Sequence, residues 1–294
     1  MIRTLFAAAM LALAAPVADA APLAKDLFGA QKTASGGKAQ AIGSYAKGCA
    51  AGLEQLPETG PTWQAMRLSR NRNWGHPELN GFLIGLSKAA THIGWKGLYI
   101  GDMSQPRGGP MVTGHASHQM GLDADIWMLP PKSLKLSRDA RESLSSISVR
   151  TEDQRRINAN WTPQHKALLK AAASDPRVDR IFVAAAVKIA MCNEAKSSDT
   201  KWLQKIRPAW GHNYHFHVRL KCPSGSPACQ TQTPSVSELS KGGSGCDDTL
   251  NWWVTEALKP RKGGEDDDDT PKAKHPRQFT LADLPAQCGA LVGK

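Results

Sequence analysis

Five of the nine histidines of this chain fall in two stretches about ninety residues apart. The first reads Gly114-His115-Ala116-Ser117-His118-Gln119-Met120-Gly121-Leu122-Asp123-Ala124-Asp125-Ile126-Trp127. The second reads Trp210-Gly211-His212-Asn213-Tyr214-His215-Phe216-His217-Val218-Arg219-Leu220. Imidazole nitrogen and carboxylate oxygen are the donors of a catalytic zinc site, which takes three protein ligands and leaves one position open. On a strand, side chains at i and i+2 share a face. His215 and His217 then point together, as do Asp123 and Asp125. If the two strands are neighbours, His118, Asp125 and His217 can bind one metal. That leaves His215 beside the open position as a base or hydrogen-bond donor for amide hydrolysis. Asp123 is a candidate to orient a histidine ligand. His115 and His212 are candidates for a second metal or for substrate contact, with His212 closer to a site-wall residue than to a ligand. His76, His92, His165 and His275 read as exposed or internally satisfied. There is no HExxH helix, which excludes a thermolysin-type site.

The elements that must position these residues follow from periodicity and breakers. Residues 77–98 read as a helix, with Leu79, Phe82, Leu83, Leu86 and Ala90 at helical spacing. Residues 97–102 and 121–129 read as strands, the second ended by Pro130-Pro131. Thr162-Pro163 opens a helix to about Ala173. A strand over 178–183, a helix over 184–192 and a strand over 215–220 complete the set. Residues 21–48 show no clear core element and read as an extended N-terminal arm. The segment beyond Cys222 is loop-rich. Without a clean βαβ rhythm the class is α+β: a central, mostly antiparallel sheet carrying the metal site, flanked by helices, with terminal segments stapled by disulfides.

Residues 1–20 have a basic start, an apolar run and an Ala-Asp-Ala end, which fits a cleaved export signal. That run is short of the roughly 20 apolar residues of a membrane span, and no later stretch reaches it. The remainder, 21–294, is expected to be one domain in an exported chain. Six cysteines lie in it, an even count that implies disulfides in an oxidising compartment. Fifteen connectivities are open on spacing alone. The net charge is +11, suited to an anionic polymer such as cell wall. Nucleic acid is disfavoured by the export signal and the lack of a binding motif. Nine tryptophans among eighteen aromatics can line a peptide or glycan groove, with most of them expected in the core. Arg70, Arg72 and Arg107 are candidates for gripping substrate carboxylates through the guanidinium fork, or for structural ion pairs. The acidic run 265–269 reads as an exposed loop and lacks the spacing of an EF-hand.

The chain resembles the penicillin-insensitive murein endopeptidases, within a wider group of zinc peptidases of lysostaphin and D-Ala-D-Ala type. The shared pattern is His118, six residues, Asp125, then His215-Phe216-His217. The extended likeness includes Arg67 to Pro77, Gln105-Pro106-Arg107-Gly108-Gly109, Gly114 to Asp125 and Arg207 to His212. The resemblance implies zinc ligands His118, Asp125 and His217, a catalytic His215, and His115 at a second-metal position. No Asp and His partners for a second metal are evident between Arg150 and His165, so one zinc is expected. It also implies the bridges Cys49–Cys288, Cys192–Cys246 and Cys222–Cys229. The implied activity is cleavage of the D-alanyl–meso-diaminopimelyl cross-link of peptidoglycan in a Gram-negative periplasm, insensitive to β-lactams. Two alternatives stay open: a carboxypeptidase trimming terminal D-Ala, and a non-catalytic wall-binding or zinc-storage protein. The free imidazole of His215 argues against the second. Oligomeric state is not legible.

Overall fold

A computed structural model describes residues 21–260 and 273–293. The expected export signal, 1–20, and the acidic run, 265–269, lie outside the described residues.

The centre is a seven-stranded sheet. Its strands in chain order are β1 (Thr59–Gly60), β2 (Trp63–Ala65), β3 (Leu98–Ile100), β4 (Asp123–Trp127), β5 (Val178–Val183), β6 (Ile206–Pro208) and β7 (His215–Leu220). The spatial order is β6-β5-β7-β4-β3-β2-β1. The β6–β5 and β3–β2 pairs are parallel, and the other four are antiparallel. The class is therefore α+β with a mostly antiparallel sheet.

Alternation along β4 and β7 separates core from site. Ala124 and Ile126 on β4, and Phe216, Val218 and Leu220 on β7, are buried in the main apolar cluster. Joining them there are α1 (Pro77–His92) and α2 (Pro163–Ser174), through Leu79, Phe82, Leu83, Leu168, Leu169 and Ala172. Helix α1 begins where its proline needs no amide partner, and His76 Nδ1 accepts the Glu78 amide at 3.2 Å as an N-cap. His165 plays a similar local part in α2. Its Nδ1 takes the Thr162 amide at 3.2 Å while its Nε2 donates to the Met128 carbonyl at 2.7 Å. A third helix, α3 (Ala185–Asn193), follows β5.

The N-terminal arm departs from the sequence expectation. It holds a helix, Ala24–Gly29, and a hairpin of Gln40–Ser44 against Lys47–Ala51. Ala24, Phe28, Ile42 and Cys49 form a second buried cluster with Phe279, Leu284 and Cys288 from the C-terminal segment. Weak local periodicity hid this, because the burying partners lie more than two hundred residues away. Strands β1, β2 and β6 also escaped detection, since two or three residues carry no measurable alternation.

Disulfides fasten the chain ends. Cys49–Cys288 ties the hairpin to the C-terminal segment, Cys192–Cys246 ties α3 to the segment after β7, and Cys222–Cys229 closes a short loop. No helix among the described residues is long and apolar enough to cross a membrane.

Candidate metal centre

Strands β4 and β7 are paired so that His217 stands opposite Asp125, Arg219 opposite Asp123, and His215 opposite Trp127. Residues directly across an antiparallel ladder share a face. One face of the sheet therefore collects both aspartates, two histidines and Arg219. His118 comes from the loop that enters β4. Its φ is +67°, a left-handed conformation uncommon outside glycine. Three contacts hold it there: its amide donates to Asp123 Oδ2 at 3.0 Å, its carbonyl accepts from Ser104 Oγ at 2.7 Å, and its Nδ1 donates to the Met103 carbonyl at 2.7 Å. Gly121 makes the next turn at φ +70°, where a Cβ would press into Leu53 at 2.6 Å.

Because Nδ1 of His118 is the donor, its Nε2 is the lone-pair nitrogen, and it faces Asp125 Oδ1 at 3.4 Å. Both atoms are buried and neither has a hydrogen-bond partner. Two facing acceptors out of contact with water need a proton or a cation between them. His217 is oriented the same way from the other side. Its Nε2 donates to Asp123 Oδ1 at 2.9 Å, which leaves Nδ1 3.4 Å from Asp125 Oδ1. His215 Nε2 lies 3.5 Å from the same oxygen, and His115 Nε2 lies 3.5 Å from Oδ2. Four imidazoles surround one carboxylate.

The electrostatics agree with a cation site. Burial opposes the charged form of Asp125, but His215, His118 and His115 around it hold its pKa well below the carboxylate range. Asp123 is likewise buried, and Arg219 and His217 hold it low. Burial pushes His217 down to about 3, so it is a neutral ligand-type imidazole. His118 alone goes the other way: burial disfavours its charge, yet Asp125, with Asp123 and Asp102 behind it, raises its pKa. A bound cation would take the place of that proton.

Among the described residues, one group of ligand-type side chains brings its atoms within 4.8 Å of one another: His115, His118 and Asp125. These residues could hold a metal ion. The triple differs from the expected His118, Asp125 and His217 in one member. His115 Nε2 is also drawn to Asp102 Oδ2 at 3.0 Å, whereas His217 Nδ1 has Asp125 as its near neighbour.

Two residues of this site were not singled out from the sequence. Asp102 is buried and collects His115 Nε2, Arg72 Nη1 at 2.8 Å and Arg70 Nη1 at 3.0 Å on one oxygen. Arg219 donates from Nε to Asp123 Oδ1 at 2.8 Å and from Nη1 to Gln232 at 2.5 Å, with its guanidinium 4.1 Å from the Tyr45 ring centre. Arg219 was legible as the third member of the i, i+2 series begun by His215 and His217. Asp102 had no such signal, as its partners come from a short 3-10 helix and from loops, with no periodic spacing to it.

Two of the three candidate arginines are engaged within the chain. Arg72 is buried, and its two terminal nitrogens are engaged by Asp102 and Thr113. Arg107 binds the carbonyls of Thr33 and Leu291 and ties the two chain ends together. Both terminal nitrogens of Arg72 are therefore occupied, as are Nε and Nη1 of Arg107. Arg70, whose side chain is 47% exposed, keeps Nη2 and Nε without partners among the described residues.

His212 lies on the site wall. Its Nδ1 donates to the Trp210 carbonyl at 2.7 Å, and its ring centre is 5.2 Å from that of His215. Burial and the neighbouring His215 push its pKa down to about 4. With His115, Phe182, Trp210, His215 and His217 it borders a cleft of about 510 Å³.

A mostly antiparallel sheet that sets histidines along an open cleft, with a buried aspartate behind them, makes an arrangement that could hold a metal ion. Residues 41–293 match the family of penicillin-insensitive murein endopeptidases, and the chain belongs to that family. Relatives that carry that family's name include the following three. The Haemophilus influenzae protein is 42% identical over 224 residues, 76% of either chain. The Klebsiella pneumoniae subsp. pneumoniae protein is 38% identical over 283 residues, 96% of this chain and 97% of the relative. The Escherichia coli O157:H7 protein is 37% identical over 256 residues, 87% of each.

Proposed function

We propose that this chain is a zinc-dependent murein DD-endopeptidase that hydrolyses the D-alanyl–meso-diaminopimelyl amide cross-link of peptidoglycan. Family membership supports the endopeptidase class. The observation that carries the metal dependence is the buried pair of unpartnered acceptors, His118 Nε2 and Asp125 Oδ1.

His118, Asp125 and His217 would hold the ion. Each histidine has its other ring nitrogen tied down, by the Met103 carbonyl and by Asp123, which fixes the tautomer that exposes a lone pair to the centre. Zinc suits two imidazoles and a carboxylate, and when bound it supplies Lewis acidity that polarises a carbonyl and brings the pKa of water from 15.7 to about 7. His215 borders the cleft beside Asp125 and is placed to take and return a proton at the amide being cut. His115, engaged by Asp102, is a positioning or substrate contact rather than a member of a second metal site. Arg70 is placed to meet a substrate carboxylate with its remaining nitrogens. No serine takes part in this reading, so β-lactams, which acylate a serine, find no target.

Residues 21–294 act in this reading as one domain, exported through the signal at 1–20 to the periplasm. The three relatives come from Gram-negative bacteria, and the basic charge favours an anionic wall. Product analysis separates this reading from its nearest rival. Cross-linked muropeptide dimers should yield monomers in the mass spectrum. Release of free D-Ala without resolution of the dimer would establish a carboxypeptidase instead.

A further inference from the structure

Four tryptophans, Trp63, Trp95, Trp127 and Trp202, are buried, as apolar surface of that size should be. Trp210 and Trp252 are not: they are 51% and 50% exposed. They flank Trp253, with ring centres 5.2 Å and 5.6 Å from its own. Large exposed aromatic patches of this kind mark interaction surfaces.

The patch is continuous with the metal centre. Trp210 borders the cleft that holds His212, His215 and His217. It also borders a second hollow of about 630 Å³, with Gln154, Trp252, Glu256 and Lys259 on its walls. The helix Thr249–Val254 that carries Trp252 and Trp253 packs on α3. The segment preceding that helix is fixed to α3 by the Cys192–Cys246 bridge and by Lys188 Nζ, which donates to the Ser244 carbonyl at 2.8 Å.

We propose that Trp210, Trp252 and Trp253 form a platform that stacks the glycan strand of murein while its peptide cross-link lies in the cleft. The inference rests on the endopeptidase reading and names a further part of its substrate. The chemistry of the hollow selects sugar over peptide. Glu256 and Lys259 pair with each other at 2.6 Å, so the described walls of the hollow present little net charge to the amine and carboxylates of a stem peptide. What remains among the described residues is the apolar surface of Trp210, Trp252, Ala257 and Leu258, whose aromatic faces fit the C–H face of a pyranose ring, and the Gln154 amide. The side chain of Gln154 makes no hydrogen bond among the described residues and can meet an N-acetyl group.

The test uses the full mature protein and peptide-free murein glycan strands as probe, with tryptophan fluorescence as readout. The wild type should bind the strands. Trp252→Ala should weaken binding about three- to tenfold, the loss of one aromatic stack, and Trp252→Phe should lose less. The same factor should appear in kcat/KM on intact murein relative to kcat/KM on a sugar-free cross-linked peptide dimer. No binding by the wild type, wild-type binding by Trp252→Ala, or an equal loss on both substrates overturns the platform. Failure of the wild type to cleave either substrate counts against the endopeptidase reading, and the glycan titration then decides the platform by itself.

Discussion

His118 Nε2 and Asp125 Oδ1 face each other at 3.4 Å, both buried and neither hydrogen-bonded. One comes from a loop held in a left-handed conformation, the other from the middle of β4. Nothing in local sequence preference favours that arrangement, and burial makes it costly unless a proton or a cation lies between the two atoms. The consequences can be measured.

Ligand identity is the first. Substituting His118, Asp125 or His217 by Ala should reduce bound zinc to a small fraction of one per chain after dialysis, measured by elemental analysis. His115→Ala should keep its metal. The reverse pattern, zinc kept by His217→Ala and lost by His115→Ala, would assign the ion to the tighter triple of His115, His118 and Asp125.

A second concerns the support behind His217. Arg219 holds Asp123, and Asp123 holds His217, so the tautomer of the His217 ring depends on a chain of three residues. Asp123→Asn should lower zinc affinity about 10- to 100-fold in competition with a chelating dye. Arg219→Gln should lower it by a smaller factor, because the His217–Asp123 bond survives. Unchanged affinity in Asp123→Asn would remove it from this role.

Much of this site was legible in the chain before folding. The i, i+2 spacing of Asp123 with Asp125 and of His215 with His217 needed only the pairing of two strands to converge, and each strand was marked by alternation and breakers. Helix α1 was readable from its apolar stripe and the proline at its start. Other parts depend on contacts that no short window contains. Asp102 acquires its meaning from Arg70 at the end of a short 3-10 helix and from Arg72 and His115 in loops. A guanidinium fork suits a substrate grip or a structural contact equally, and only tertiary contacts show that Arg72 and Arg107 are engaged within the chain. The N-terminal hairpin is apolar on one side only where the C-terminal segment covers it.

His215 should matter to turnover and not to metal retention. His215→Ala is expected to keep its zinc and lose about 10²- to 10⁴-fold in kcat, the usual worth of a proton-transfer group. Turnover near the wild-type rate would rule out the proton-transfer role.

Lys188 gives a pH prediction apart from the metal. It is fully buried in α3, with Nζ donating to the carbonyls of Leu203 and Ser244 at 2.8 Å each. Burial, with Arg207 nearby, lowers its pKa from 10.5 to about 7. Between those values the unfolded chain carries a proton that the folded chain does not, so raising the pH favours folding. This contribution is complete above 10.5 and lost as pH falls through 7. Denaturant titrations at about pH 6.5 and 9.5 should show a larger gain for the wild type than for Lys188→Met. Equal gains would mean that the lysine titrates normally in the folded state.

The most direct test of the central claim is digestion of purified cross-linked muropeptide dimers by the mature protein, followed by mass spectrometry with chelator, then with zinc restored, and with penicillin present throughout. The structure predicts monomers without chelator, intact dimers with it, and monomers again once zinc is returned. Monomers formed at the same rate in chelator, or intact dimers in a fully zinc-loaded sample, would contradict a metal-dependent endopeptidase.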